Sequence, residues 1–357
     1  MSSRMETLLR IAADQRASDL HLHAGKIPRV RHEGRFKPLP LRALGMHQLR
    51  TMLDEILDDR QRAHLEKASH LDFAYEIPGT ARFRGSICMQ SDGPSAVFRV
   101  IPPSVAPLDS LELPAAISGL TRHSHGLVLV TGPTGSGKTT TLAAIVDRIN
   151  ESTARHVLTI EDPIEFVHTN KRGLITQRQV GLHTESFAAA LRSALREAPD
   201  VIVVGEIRDY ETIALALSAA EAGVLVFATL HTRSAPQSVE RLLGACPDDR
   251  QDEVREVLAT LLRGVVCQRM CRAIGGGRVA ACEILLHSIA VSNLIREKKA
   301  HLLDGVLRGG AEMARGMRSL EESLSRLVKE KRVTRGEAMS VANDPKVLAE
   351  LLGPEAE

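Results

Sequence analysis

The chain has 357 residues, enough for two domains with separate cores, and its 46 basic and 44 acidic residues leave a net charge of +2. Without any block of like charge this balance argues against a general polyanion binder, and the lack of tryptophan with only two tyrosines leaves few stacking platforms for nucleic acid. Five scattered cysteines make no disulfide framework, the first residues lack the apolar core of a signal peptide, and no apolar run approaches the ~18 residues of a membrane span. A cytoplasmic protein with at most peripheral membrane contact is expected.

Residues 5–17 carry Leu8, Leu9, Ile11 and Ala12 at helical spacing and predict a short amphipathic helix. From Ala17 to Leu39 the pattern alternates, with Leu20 and Leu22 on one strand face and His21 and His23 on the other, as in a half-exposed sheet. Two histidines with no third ligand at suitable spacing read as solvent-facing strand residues rather than a metal site. A helix from His47 to Ala63 and strands over 71–76, 81–90 and 97–101 complete an α+β domain expected to span 1–101. Pro102, Pro103 and Pro107 mark a linker over 102–114.

From 115 to 357 the texture changes to strand and helix in alternation. Strands are predicted at 127–130, 156–160, 201–204 and 224–229, and helices at 138–150, 185–197, 209–221 and 235–244. Such alternation predicts an α/β domain with a mainly parallel sheet covered on both faces and ligands at the carboxyl ends of its strands. Gly275-Gly276-Gly277 between two strands reads as a hairpin turn, and the tail from Ser288 reads as helical and charged, broken at Gly309-Gly310 and Gly316.

The organising motif follows the strand Leu127–Val130. Gly132, Pro133, Thr134, Gly135, Ser136, Gly137, Lys138 and Thr139 fit G-x-x-x-x-G-K-[ST], with Thr140 continuing into the helix. Glycines let the backbone close on a polyphosphate, and the helix that follows presents free N–H groups and the positive end of its dipole. Lys138 is placed to reach the β- and γ-phosphates of ATP, and the Thr139 hydroxyl to hold Mg2+. Hydrolysis also needs carboxylates to orient water and metal, and groups to meet developing charge. Glu161 follows a strand in LTIEDPIEF; Glu206 follows the strand Val201–Val204 in DVIVVGEIRD, as a Walker B acid near Mg2+ would, though with glutamate where aspartate is usual. His231 follows a third strand, where a γ-phosphate sensor would sit. In the first domain Arg82 and Arg84 share a strand face and Arg99 lies on a neighbouring strand. They fit either a solvated sheet face or guanidinium fingers for a nucleotide held by another domain or subunit.

Along most of its length the chain resembles the secretion ATPases of type II secretion and type IV pilus motors, most closely the pilus-retraction type. The resemblance is carried by ASDLHLHAGKIPRVRHEGR, RFRGSICMQSDGPSAVFRVIP, GPTGSGKTTTLAA, TIEDPIEF, VIVVGEIRD, ATLHTRSAPQSVERLL and NLIRE. It implies a PAS-like first domain, a RecA-like ATPase domain, and a homohexamer acting on a pilus platform protein at the cytoplasmic face of the inner membrane, with no nucleic-acid partner. It further implies that Glu161 is the catalytic carboxylate, Glu206 the Walker B acid, His231 with Arg208 the γ-phosphate contacts, and Arg82, Arg84 and Arg99 interdomain fingers. Assembly-type motors of the family carry a longer N-terminus and a tetracysteine zinc motif; here Cys267 and Cys271 are the nearest pair and form no C-x-x-C. The chain departs from the family where AIRNLIRE becomes SIAVSNLIRE, and at Glu321 in GMRSLEESL, where aspartate is usual. Pilus assembly, type II secretion and a RecA-like nucleic-acid translocase are the alternative readings.

Overall fold

The structure is a computed structural model that describes residues 3–32, 34–102, 104–309 and 316–354. Pro103 of the linker prolines and Gly310 of the tail breaks lie outside the described residues. Two units are present: one holds residues 1–105 together with Pro163–Val167, the other Ala106–Asp162 and His168–Glu357.

The first unit is a six-stranded antiparallel sheet in the order β3-β2-β1-β6-β5-β4. Its strands are β1 (Asp19–His23), β2 (Arg29–His32), β3 (Arg35–Pro38), β4 (His70–Ile77), β5 (Ala81–Gln90) and β6 (Gly93–Ile101). One face carries Leu20, Leu22, Val30, Phe83 and Phe98, which α1 (Arg4–Asp14) and α2 (Met46–Asp54) cover through Met5, Leu9, Leu49 and Leu53. Each aliphatic side chain so buried contributes roughly 2 kcal/mol. The expected helix from His47 to Ala63 is two helices: Asp58 caps a new one, α3 (Asp59–Ala68), accepting from the Gln61 amide while the Gln61 side chain accepts from the Asp58 amide. That capping box satisfies end groups that a continuous helix would not expose.

The second unit is a seven-stranded sheet in the order β13-β12-β7-β11-β10-β8-β9. Its strands are β7 (Gly126–Thr131), β8 (His156–Glu161), β9 (Leu174–Gln179), β10 (Val201–Val204), β11 (Leu225–Leu230), β12 (Leu262–Arg272) and β13 (Arg278–Leu286). All neighbours pair in parallel except β12 with β13, which form a hairpin closed by Gly275, Gly276 and Gly277, each at positive φ. Strands β7, β10 and β11 are buried throughout, as apolar runs sandwiched between helices should be. The helices are α4 (Ala115–Leu120), α5 (Lys138–Ser152), α6 (Phe187–Ala194), α7 (Tyr210–Glu221), α8 (Ala235–Gly244), α9 (Gln251–Leu261), α10 (Ile289–Arg296) and α11 (Leu303–Leu307). Then α12 (Leu320–Lys329), α13 (Arg335–Val341) and α14 (Pro345–Leu352) build a smaller core against Cys271, Val279 and Ala281 of the hairpin. Helix α6 is shorter than expected, and Leu195 points largely outward beyond its end.

The chain order of the strands and their order in the sheet differ in a way that matters. Strand β7 is followed in sequence by β8 but pairs with β11 and β12, so the carboxyl end of β7 lies at a crossover between the strands on its two sides. A parallel sheet opens a ligand crevice at such a point.

Candidate active site

The turn after β7 is shaped by its glycines. Gly132, Gly135 and Gly137 have φ of 142°, 80° and 89°, and a Cβ on Gly132 would stand 2.5 Å from Ser136 Oγ. Ser136 Oγ is itself buried with no hydrogen-bond partner, a polar atom of the kind a phosphate oxygen satisfies. Gly137 precedes α5, and no side chain caps that helix's first amides. Lys138 lies in this turn, 9% exposed, and its ammonium donates to the carbonyls of Gly132 over 2.7 Å and Pro133 over 3.1 Å. Burial lowers its pKa, and the Glu206 carboxylate opposes that shift. Thr139 is exposed on the first turn of α5, beside the half-buried Thr140, while Pro133 and Thr134 form the exposed crest of the loop.

Three more strands of the parallel sheet, β11, β10 and β8, end on the same side as β7, each with a polar residue at or just past its end. Glu206 follows β10 and offers one oxygen to Arg208 Nη2 at 2.7 Å and the other to His231 Nε2 at 3.3 Å. His231 follows β11, the direct neighbour of β7. Burial holds the His231 pKa below its usual 6.5, with Lys138 adding in the same direction and Glu206 working against it. The bond to Glu206 raises the pKa of Arg208. Glu161 ends β8, and its Oε1 accepts from the Thr159 hydroxyl at 2.7 Å and from the Gln177 amide at 3.1 Å. Gly205 brings the ends of β10 and β8 together: its amide donates to the Ile160 carbonyl at 2.8 Å, next to Glu161. The second unit thus gathers the phosphate loop, Glu161, Glu206, Arg208 and His231 at one edge of one sheet.

Arg82, Arg84 and Arg99 belong to the first unit, and each has a partner there. Arg82 holds Glu76 at 2.9 Å and donates to the Ile164 carbonyl at 3.1 Å; Arg84 meets Glu165 at 3.2 Å; Arg99 meets the buried Asp19 at 3.1 Å. Arg84 and Arg99 are register partners on adjacent strands. The loop that carries Glu161 therefore passes from one unit to the other: Glu161 and Asp162 belong to the second, Pro163–Val167 to the first. His21 and His23 are half-buried rather than solvent-facing, His21 standing edge-on to Phe36 and His23 bonded to Gln90.

Sequence reasoning missed Thr159, Gln177 and Gly205. Strand β9 carries Gln177 and lies at the sheet edge with a mostly polar, half-buried pattern, which obscures it. Its only local trace is the short apolar and β-branched start Leu174-Ile175-Thr176; the parallel register that sets Gln177 opposite Thr159 is seen only in the sheet.

Residues 5–338 match the family described as "Type II/IV secretion system protein". The chain is 45% identical over 338 residues to the type IV pilus retraction ATPase PilT of Pseudomonas aeruginosa, covering 95% of this chain and 98% of that protein. It is 45% identical over 325 residues to a twitching motility protein of Neisseria gonorrhoeae, covering 91% and 86%. A crystal structure of the pilus retraction motor PilT with bound ADP superposes with a TM-score of 0.88 at 40% identity, covering 98% of this chain and all of that one. The chain belongs to the type II/IV secretion ATPase family and, within it, to the PilT type of pilus-retraction ATPases.

Proposed function

We propose that this protein is the ATP-hydrolysing motor of type IV pilus retraction, working as a ring of six identical subunits on a platform protein at the cytoplasmic face of the inner membrane. The observation that carries the reading is Glu206, shared between Arg208 and His231 at the strand edge beside the phosphate loop. Among the described residues no helix is long and apolar enough to cross a membrane.

The amides of Gly135 to Thr140 cradle the phosphates, and Lys138 exchanges its loop carbonyls for β- and γ-phosphate oxygens. Glu161, aimed by Thr159 and Gln177, accepts the proton of the attacking water. His231 is neutral near pH 7 and donates from Nε2 to a γ-phosphate oxygen, while Arg208 offsets charge as the bond to the leaving group breaks. The oxygen donors Thr139 and Glu206 suit Mg2+, and the orphaned Ser136 hydroxyl faces the same phosphate loop. A magnesium ion held there supplies charge neutralisation at the phosphates. Arg82, Arg84 and Arg99 act as fingers when they trade Glu76, Glu165 and Asp19 for phosphate oxygens. Because only Asp162 separates Glu161 from the Pro163–Val167 segment of the first unit, a shift of Glu161 on hydrolysis is passed through the chain to that segment.

The biochemical test is phosphate release by the purified protein. Lys138→Ala is expected to abolish it, and retained steady-state turnover would overturn the assignment. In the cell, deletion of the gene is expected to leave surface pili in place but stop twitching; a strain without pili would instead identify an assembly motor.

A further inference from the structure

Glu283 is the least expected carboxylate in the molecule. It lies in the middle of β13, 3% exposed, among Ala281, Cys282, Ile284 and Leu285. A buried carboxylate of this kind needs hydrogen-bond partners, and it has two backbone donors. The Ala235 amide, first of α8, donates to Oε1 at 2.6 Å, and the Leu320 amide, first of α12, donates as well. The residues just before Ala235 form the loop 231–234 that carries His231. Other contacts hold that loop as well: Cys267, the register partner of Glu283 on β12, points its thiol at the Thr232 carbonyl at 3.6 Å, the Thr232 hydroxyl meets that of Ser238 at 2.6 Å, and Asn343 and Arg269 donate to the Arg233 carbonyl at 3.3 and 3.5 Å. The tie at Ala235 runs to the buried carboxylate, and the Asn343 tie runs to the turn between α13 and α14.

We propose that Glu283 is a positioning residue for His231: its ionised carboxylate pins the starts of α8 and α12 together and so fixes the loop that presents the histidine to the γ-phosphate. The inference rests on the ATPase reading above. The ionised group accepts from both amides, whereas the protonated group turns an O–H toward one of them and lets that helix start go.

The surroundings make this carboxylate titrate in a useful range. Burial pushes its pKa up to about 7 against the pull of the Ala235 and Leu320 amides, and the carboxylates of Asp304 on α11 and Glu321 on α12 push the same way. Glu283, Asp304 and Glu321 line one cavity of about 330 Å³, where Arg233 and Arg308 are the facing cations and Asp344 a further carboxylate. Glu240 of α8 acts on Asp304, and Cys267 faces Glu283 across the hairpin. Glu321 is held by the Asn343 and Asp344 amides, both at 3.0 Å, so the glutamate found where the family has aspartate serves the start of α14.

The test is steady-state ATP hydrolysis of the full chain between pH 6 and 8. A carboxylate titrating near 7 goes from about one tenth to about nine tenths ionised over that interval, so wild-type kcat is expected to rise about ten-fold. Glu283→Gln keeps the shape but offers an amide N–H to one donor; it is expected to run flat at the low rate, about ten-fold below wild type at pH 8, with KM for ATP within about two-fold. In a His231→Ala background the additional Glu283→Gln change is expected to cost less than about two-fold, because both act through one group. A Glu283→Gln protein that keeps the pH rise, or whose loss multiplies in full with that of His231→Ala, overturns the proposal. Should His231→Ala itself leave turnover unchanged, the ATPase-site reading of His231 fails, a result separate from any failure of Glu283.

Discussion

Gly205 rests against Ile160: its amide donates to the Ile160 carbonyl over 2.8 Å, and a Cβ built on it would stand 3.0 Å from that same oxygen and 3.3 Å from Glu161 Cα. The glycine immediately before Glu206 is thus what lets the two acidic strand ends approach. Gly205→Ala has to push β10 and β8 apart by a few tenths of an ångström, at a cost of about 1–3 kcal/mol in stability. Because the displacement separates Glu206 from Glu161, kcat is expected to fall by roughly ten-fold or more with a smaller change in nucleotide affinity. Chemical denaturation read together with phosphate release checks both, and an alanine variant with wild-type kcat would show that the spacing is not used.

His231 provides a pH signature of its own. Its folded pKa lies below 6.5 because burial and Lys138 disfavour the imidazolium. Native protein therefore holds the neutral ring more strongly than unfolded chain does, and this contribution to stability is present above pH 6.5 and lost as pH falls through the lower folded value. Turnover is expected to decline on the acid side of 6.5, where the charged ring also competes with Arg208 for Glu206. In His231→Ala that acid limb is expected to vanish and kcat to fall by about 10–100-fold. An unaltered limb in the variant would assign the titration to another group.

How much of this could be read from the sequence depended on whether a residue announces itself locally. Glu206 follows the apolar run of β10 and His231 the run of β11, broken only by Thr229, and a polar residue just past a buried parallel strand has to lie at the sheet edge. The capping box at Asp58 was equally local, an acid three residues before Gln61, yet it was hidden because apolar residues continue at helical spacing on both sides. Gln177 and Gly205 were not legible: one acts through a strand at the sheet edge, and the other matters only through a neighbour far along the chain, Ile160. The assignment of Pro163–Val167 to the first unit was also invisible, since two buried apolar residues, Ile164 and Phe166, set among acids and a proline do not say which core they join. Glu283 left one trace, a lone acid inside AACEILL, which reads as an error in a strand until its two amide donors are known.

Glu283 also sets a slope of stability against pH, with a sign opposite to that of an ordinary ion-paired carboxylate. Its folded pKa, about 7, is raised above the unfolded value, so folded protein binds the extra proton between about pH 4.5 and 7. Stability is then highest below that window and falls by up to about 3 kcal/mol as pH rises through it. Asp304, raised chiefly by burial, adds to the same trend. Glu283→Gln carries no such proton, so its denaturation midpoint is expected to change much less between pH 5 and 7.5. A wild type whose stability is level over that interval would mean that the carboxylate is better solvated than its surroundings imply.

Asp19 and Arg99 provide a test that separates a structural from a catalytic role for the first unit's arginines. Asp19 is 5% exposed and is met by Arg99 at 3.1 Å, by Arg31 at 3.7 Å and by the Ser18 hydroxyl at 2.8 Å. Its removal leaves two guanidinium groups on one sheet face without their shared anion, and Asp19→Ala is expected to destabilise the first unit by about 1–3 kcal/mol. The Arg99 side chain is 55% exposed, so its pairing is screened by water and Arg99→Ala is expected to cost little in stability. If Arg99 reaches a nucleotide during the cycle, Arg99→Ala slows turnover by roughly 100-fold or more while a fluorescent ATP analogue still binds within about two-fold of wild type. Equal turnover in Arg99→Ala and wild type would leave this arginine as no more than the counter-ion of Asp19.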